Sequence, residues 1–137
     1  MEYEEIESLL ELAVTNLFKN QPDLFDFTND SSQTEWNINH HYANEVHALL
    51  PNYDYDVDLK KPGVKNKRPD IVFHRRRTHE HNFLVIEMKR KEKDVVGEIE
   101  KIKTLWFEKP LKYEFGAVVM ISGLGSYKIV VLENKNE

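Results

Sequence analysis

The sequence contains no cysteine, which removes disulfide bonds and thiolate zinc sites from consideration. It also has no long hydrophobic run, because its longest apolar stretches, such as "FLVI" and "GAVVMI", are far too short to cross a bilayer. No internal repeat, low-complexity tract or long linker divides the chain. We therefore expect its 137 residues, 1–137, to form one domain around one core.

Basic residues are scarce in the first part of the chain. Residues 1–59 hold 13 acidic side chains and one lysine, whereas residues 60–137 hold 18 basic and 11 acidic side chains, which together give the net charge of −5. The basic residues are concentrated between residues 60 and 93, where they could form a local positive surface that attracts a polyanion. The acidic start "MEYEEIESLL" is not typical of a secretory or mitochondrial leader, so we expect a cytoplasmic protein with no membrane association.

Hydrophobic periodicity predicts three helices and five strands. The predicted helices cover residues 3–19, 33–50 and 94–106, and the predicted strands cover 53–60, 68–74, 82–89, 114–122 and 126–134. The order α-α-β-β-β-α-β-β, with apolar strands and intervening helices, predicts an α/β fold with a mixed central sheet flanked by helices on both faces.

The second and third predicted strands form a hairpin that carries charged residues among apolar ones. If the turn is centred between Thr78 and His79, residues whose numbers sum to 157 face each other, and Asp70 then opposes Glu87. Lys89 lies two residues beyond Glu87 on the same side of the strand. Two carboxylates about 5 Å apart repel by roughly 3 kcal/mol at an effective dielectric constant near 20, so this pair needs compensation.

A divalent metal would supply that compensation, because Mg²⁺ prefers carboxylate oxygens, water and phosphate oxygens as ligands. We expect the second helix to pack over this face, where Glu35 or Glu45 could add a further carboxylate. Lys89 could orient or deprotonate a water, or neutralise charge that develops on a phosphate. The alternative is an ordinary salt bridge at a sheet end, in which Lys89 only compensates the acids.

The segments "RPDIVFH" and "NFLVIEMKR" resemble the motif of the PD-(D/E)XK nuclease superfamily, the restriction-endonuclease-like fold. The segments "YDYDVDLK", "EIEKIKTL" and "YEFGAVVMI" extend the likeness to small stand-alone members of that superfamily, over roughly residues 33–121. The resemblance implies a four-stranded mixed core sheet at 33–121, preceded by a helical extension at 1–30. It also implies Mg²⁺ or Mn²⁺ at Asp70 and Glu87, with Lys89 as the catalytic lysine. The helix carboxylate that it implies is Glu35, with Glu45 as the reserve metal ligand.

Several basic and aromatic residues could contact nucleic acid. The candidates for binding its backbone are Lys67, Arg68, Arg75, Arg76, Arg77 and Arg90. Trp36 and Trp106 could stack on bases, but tryptophan at a helix end more often belongs to the core and is partly buried, and we expect such core positions for both. Lys101 and Lys103 are expected on a solvated helix face.

The leading hypothesis is a metal-dependent nuclease that hydrolyses phosphodiester bonds of nucleic acid, with DNA as the preferred substrate. Cutting both strands of a duplex would favour a homodimer. The second hypothesis is a catalytically inactive nuclease-like module that binds nucleic acid or a protein partner. A third is an interaction subunit whose acidic first helix docks a partner.

Overall fold

The computed structural model describes residues 1–25, 32–58, 68–77 and 81–135. The helices of this part of the chain are α1 (Tyr3–Asn20), α2 (Ser32–Leu49) and α3 (Val95–Lys101), and α3 continues into a π-helical turn at Ile102–Trp106. Its strands are β1 (Asp54–Val57), β2 (Ile71–His74), β3 (Leu84–Lys89), β4 (Phe115–Gly123) and β5 (Ser126–Glu133). The predicted order of helices and strands is confirmed.

The five strands form one sheet in the order β1-β2-β3-β4-β5. Strands β3 and β4 are parallel, while the other neighbouring pairs are antiparallel. Because β3 and β4 are parallel, the chain must return after β3 to the end of the sheet at which β3 began, and α3 lies in this connection. The predicted mixed α/β fold is therefore confirmed, with five strands in the sheet where the resemblance implied a core of four.

The predicted hairpin register is also confirmed. Ile71 pairs with Ile86 and Phe73 pairs with Leu84, as the sum of 157 requires. The turn predicted near Thr78 lies outside the described residues.

Each face of the sheet is covered by its own hydrophobic cluster. On one face, Ile71 and Ile86 pack with residues of α1 and α2. On the other, Val72 and Val85 pack with Ile102 and other residues of the α3 segment. Adjacent strand residues point to opposite faces, so the continuous apolar runs of β2 and β3 supply both clusters at once.

Helix α1 belongs to the core. Its buried residues recur at helical spacing: Ile6, Leu10, Ala13, Val14 and Leu17. They pack into the cluster that α2 shares, so the buried face of α1 has its partner within this chain. This leaves the polar side of α1 for any external contact. Among the described residues, no helix is long and apolar enough to span a membrane.

Candidate active site

Strands β2 and β3 stop pairing next to Asp70 and Glu87. The last paired residues are Ile71 and Ile86. Beyond them, the backbone N–H of Asp70 donates a hydrogen bond of 2.9 Å to Oε1 of Glu87. The backbone N–H of Met88 donates one of 2.7 Å to Oδ2 of Asp70. Each carboxylate is therefore held by the backbone of the opposite strand, and the two acids meet where the strands separate.

Two residues of α3 complete this group. The Nζ atom of Lys101 lies 2.6 Å from Oε2 of Glu87 and 3.6 Å from Oε2 of Glu98. The Nζ atom of Lys89 lies 3.1 Å from Oε1 of Glu98. We call Asp70, Glu87, Lys89, Glu98 and Lys101 the acid–lysine cluster. It sets three carboxyl groups against two ammonium groups.

The expectation that Lys101 lies on a solvated helix face is wrong, whereas Lys103 is exposed as predicted. The sequence did contain a signal for this contact. Glu98 lies three residues after Val95 and four before Ile102, both of which are buried against the sheet. Residues at this spacing share one helix face, so Glu98 had to point toward the sheet and Lys101 to flank it.

The helix that covers the Glu87 face is α3, not α2 as expected from the sequence. Helix α2 packs through Ile38 onto the face that carries Ile71. Glu87 lies on the opposite side of β3, two residues from Val85, whose cluster contains the α3 segment. Two apolar faces call for two covering layers, but strand alternation alone does not say which helix covers which face.

Glu35 nevertheless reaches the site around the end of the sheet. Together with Asp70 and Lys89 it lines a cavity of about 90 Å³ at the edge where β2 and β3 separate. Glu45 is turned elsewhere: its carboxylate accepts hydrogen bonds of 3.2 and 3.4 Å from Nδ2 of Asn20. The structure thus brings Glu35 to the cavity and leaves the reserve candidate on the side of α2 that contacts α1.

Burial and the neighbouring acid control the charge of Glu87. The side chain has no exposed surface. Burial first, then repulsion from Asp70 and a hydrogen bond shared with Glu98, raise the pKa of Glu87 to about 8 although Lys101 opposes the rise. Burial also raises the pKa of Asp70, partly offset by the N–H of Met88. Both shifts favour the protonated, neutral form of these acids.

Lys89 holds its proton more firmly than an ordinary lysine. Partial burial by itself lowers the pKa of Lys89, but the hydrogen bond and charge of Glu98 outweigh it, so the net shift is upward. Glu98 is suited to this role because the net shift of its own pKa is downward. Burial raises the pKa of Glu98, but the hydrogen bond from Glu87 and the charges of the two lysines together lower it by more. Lys89 is thus a cation and a hydrogen-bond donor here, which disfavours the expectation that it deprotonates a water.

The donor atoms suit a hard divalent cation. Asp70 and Glu87 lie together in a largely buried place, and burial is the largest cause that raises the pKa of both groups. Their carboxylate oxygens are ligands that Mg²⁺ prefers. Within the described residues, no group of three acidic or histidine side chains is arranged to hold a metal ion. The described side chains therefore offer a pair of carboxylates, with Glu35 lining the same cavity.

The predicted basic surface is divided between two ends of β2. Near Asp70, Arg68 pairs with Asp58 at 3.7 Å, and Arg90 lines the cavity. A second cavity of about 260 Å³ is also lined by Arg90, together with Lys91. Lys67 lies outside the described residues.

The other basic candidates lie beyond the far end of the strand. Residues 75–77 follow β2 and begin roughly 16 Å along the strand from Asp70 at 3.3 Å per residue. The guanidinium of Arg76 donates to both carboxylate oxygens of Asp56 at 3.2 and 2.9 Å, which links β2 to β1. Arg75 lies over the ring of Tyr53, 5.5 Å from its centroid. These arginines are therefore not gathered around the acid–lysine cluster.

Comparison with known proteins adds no relative. No protein-family model, no curated protein sequence and no solved structure matches this chain. The resemblance to the PD-(D/E)XK superfamily consequently depends on the residues and geometry described above.

Proposed function

We propose that this protein is a metal-dependent nuclease of the PD-(D/E)XK type, which hydrolyses phosphodiester bonds of nucleic acid in the cytoplasm. We favour DNA over RNA as its substrate. One observation carries the proposal. Asp70 and Glu87 meet where β2 and β3 separate, at a cavity edge that also presents Lys89 and Glu35. Of the two acids, Asp70 lines the cavity and Glu87 is buried. Paired carboxylates beside an amine are groups that metal-assisted hydrolysis uses.

Asp70 and Glu87 would hold the Mg²⁺ or Mn²⁺, with Glu35 completing or orienting its ligands. A bound divalent cation supplies polarisation of the phosphate and a lower pKa for a coordinated water. The backbone N–H groups of Asp70 and Met88 hold the carboxylates of Glu87 and Asp70, so the position of each acid is fixed by the backbone.

Lys89 would neutralise negative charge on the phosphate and orient the attacking water by donating a hydrogen bond. Glu98, 3.1 Å from the Nζ atom of Lys89, favours the protonated form of this lysine. Arg90 and Lys91 line the adjacent cavity and would bind the nucleic-acid backbone. Binding through such charges falls steeply as salt concentration rises.

The second candidate is a nuclease-like module that binds nucleic acid or a protein without cleaving it. The observation that favours it is the 2.6 Å contact between Lys101 and Glu87, because an internal ammonium group then takes part of the role of a metal. In this case the acid–lysine cluster stabilises the fold, and Lys89 has no chemical task.

The deciding experiment incubates the protein with labelled DNA and RNA in single-stranded, duplex and branched forms, with Mg²⁺, Mn²⁺ or chelator. The nuclease predicts cleavage that needs the metal and that Lys89→Ala abolishes. Asp70→Asn should also abolish it, while its amide oxygen can still accept the N–H of Met88 and preserve the fold. Circular dichroism checks that both variants remain folded.

Lys103→Ala is the matched control, since Lys103 is exposed and lies outside the acid–lysine cluster. It should cleave at the wild-type rate. Affinity without cleavage, unchanged by Lys89→Ala, would instead support the binding module. Calorimetry that detects no Mg²⁺ or Mn²⁺ uptake, with or without nucleic acid, would exclude the nuclease.

A further inference from the structure

The two tryptophans of this chain differ sharply in exposure. Trp106 has no exposed surface, which confirms its predicted core position, but Trp36 is 54% exposed, so the same prediction was wrong for Trp36. Tryptophan is usually well buried, because its large apolar surface favours burial strongly. A single exposed aromatic ring is common on protein surfaces, so its surroundings decide whether it has a use.

The ring of Trp36 is held in place by a second ring. His40, one helical turn later on α2, is stacked against the indole with 2° between the ring planes and 5.3 Å between the centroids. This contact restricts the rotation of the indole and keeps a flat aromatic surface at the protein boundary. A nucleobase can extend such a stack, since every base has an aromatic face.

Trp36 also lies beside the candidate active site. Its neighbour Glu35 lines both cavities at the end of the sheet, and Ile38 and Asn39 line the smaller one. Successive residues are about 100° apart around a helix, so Trp36 and His40 form the adjacent strip of α2. A nucleotide with its base on this strip would have its backbone within reach of the cavities.

The charge of the cavity wall selects the kind of aromatic ligand. Lys89, Arg90 and Lys91 line the larger cavity together with two acids, Glu35 and Asp94, so that its basic side chains outnumber its acidic ones by three to two. Of the three cations, Lys91 is exposed. A polyanion with aromatic groups fits cations beside an indole, as in proteins that bind single-stranded nucleic acid. In an intact duplex both faces of each base are already covered by neighbouring bases, and a base must be unstacked before it can cover an indole.

We propose that Trp36, backed by His40, is a stacking site for an unpaired nucleobase of single-stranded nucleic acid. That the bound strand is also the substrate rests on the nuclease proposed above. The bases that flank the cleaved bond would then be unpaired, which defines the substrate class as single strands and single-stranded segments of duplexes.

The test measures binding in chelator, so that no cleavage is needed. Labelled oligothymidylate and a blunt-ended duplex of equal length are titrated with the protein, and affinity is followed by fluorescence anisotropy. Trp36→Leu should weaken binding of the single strand about 5- to 150-fold, the range of base–aromatic stacking. Trp36→Phe keeps an aromatic ring and should retain most of the affinity. Duplex binding should change little in either variant.

Tryptophan fluorescence provides an independent measure, because only the exposed indole can be quenched by a stacked base. Oligothymidylate should quench part of the wild-type emission, and the Trp36→Phe variant, which retains the buried Trp106, should show no quenching. Unchanged affinity in Trp36→Leu, an equal loss for single strand and duplex, or an absence of quenching would each overturn the stacking site. Binding that depends on Trp36, in a protein that cleaves nothing with Mg²⁺ or Mn²⁺, would support the stacking site and overturn the nuclease.

Discussion

The Nζ atom of Lys101 lies 2.6 Å from Oε2 of Glu87, a side chain with no exposed surface. The helix that connects the two parallel strands thus places a positive charge against the innermost acid of the candidate active site. Even so, the pKa of Glu87 rises to about 8, because burial and the nearby Asp70 outweigh the lysine. Lys101 therefore offsets only part of the cost of ionising Glu87, and we expect both protons and cations to bind to the acid–lysine cluster.

Glu87 should make the protein less stable as the pH rises. The pKa of Glu87 rises from an ordinary 4.5 to about 8 in the folded state, so the folded protein binds more protons than the unfolded chain between these pH values. The free energy of unfolding therefore falls through this window. In urea unfolding with chelator, the free energy of unfolding of Glu87→Gln relative to wild type should increase between pH 5 and pH 8, by on the order of a few kcal/mol. Parallel pH profiles for the two proteins would contradict this reading of Glu87.

Magnesium should stabilise the protein more at pH 8 than at pH 6. Metal binding to carboxylates requires their ionised form, and Glu87 loses its proton only near pH 8 in the metal-free protein. Thermal unfolding with Mg²⁺ and with chelator at both pH values measures the difference. The upward shift in Tm should be lost in Asp70→Asn. Equal shifts at the two pH values would show that Glu87 is not a ligand.

Lys101→Met should destabilise the protein above pH 7 and have a smaller effect at pH 5. The variant removes the ammonium group that partly compensates Glu87, so ionisation of this buried acid becomes more costly. We expect a loss of about 1–3 kcal/mol in the free energy of unfolding at pH 8. The matched control Lys103→Met, which lies in the π-helical turn directly after α3 and is exposed, should stay within about 0.5 kcal/mol of wild type. A similar loss in both variants would mean that the effect comes from the helix and not from Glu87.

Gly116→Ala should destabilise the packing between β4 and the π-helical turn. A Cβ atom on Gly116 would lie 2.5 Å from Cγ2 of Ile102 and 3.2 Å from Cζ of Phe107, so the layer must move apart. Overpacking of this kind costs about 1–3 kcal/mol. Gly97→Ala in α3 is the control: its Cβ meets nothing within 4 Å, and the better helix propensity should add up to about 1 kcal/mol. Chemical denaturation should show changes of opposite sign in the free energy of unfolding of the two variants. If Gly116→Ala is as stable as wild type, the side chain of Ile102 can move away from the added methyl group.

Local sequence patterns were sufficient to predict the helices and strands and the register of the hairpin formed by β2 and β3. The helical spacing in α1 and the apolar runs of β2 and β3 depend on a repeat of 3.6 or two residues, which a sequence displays directly. The sequence could predict that Asp70 and Glu87 lie opposite each other, because a single turn position determines every opposed pair in a hairpin. Strand β2 begins at Ile71 and not at Arg68, since Pro69 has no N–H and the N–H of Asp70 bonds to a side chain.

The sequence by itself determined an α/β chain with a mixed sheet, two apolar sheet faces and two acids that meet beside Lys89, because each of these follows from spacing along one or two neighbouring segments. Only the tertiary structure decided that α3 covers the Glu87 face, that Lys101 contacts Glu87 and that Trp36 stays exposed. These outcomes depend on which helix packs on which face, and that choice reflects the packing of the whole core across residues distant in sequence.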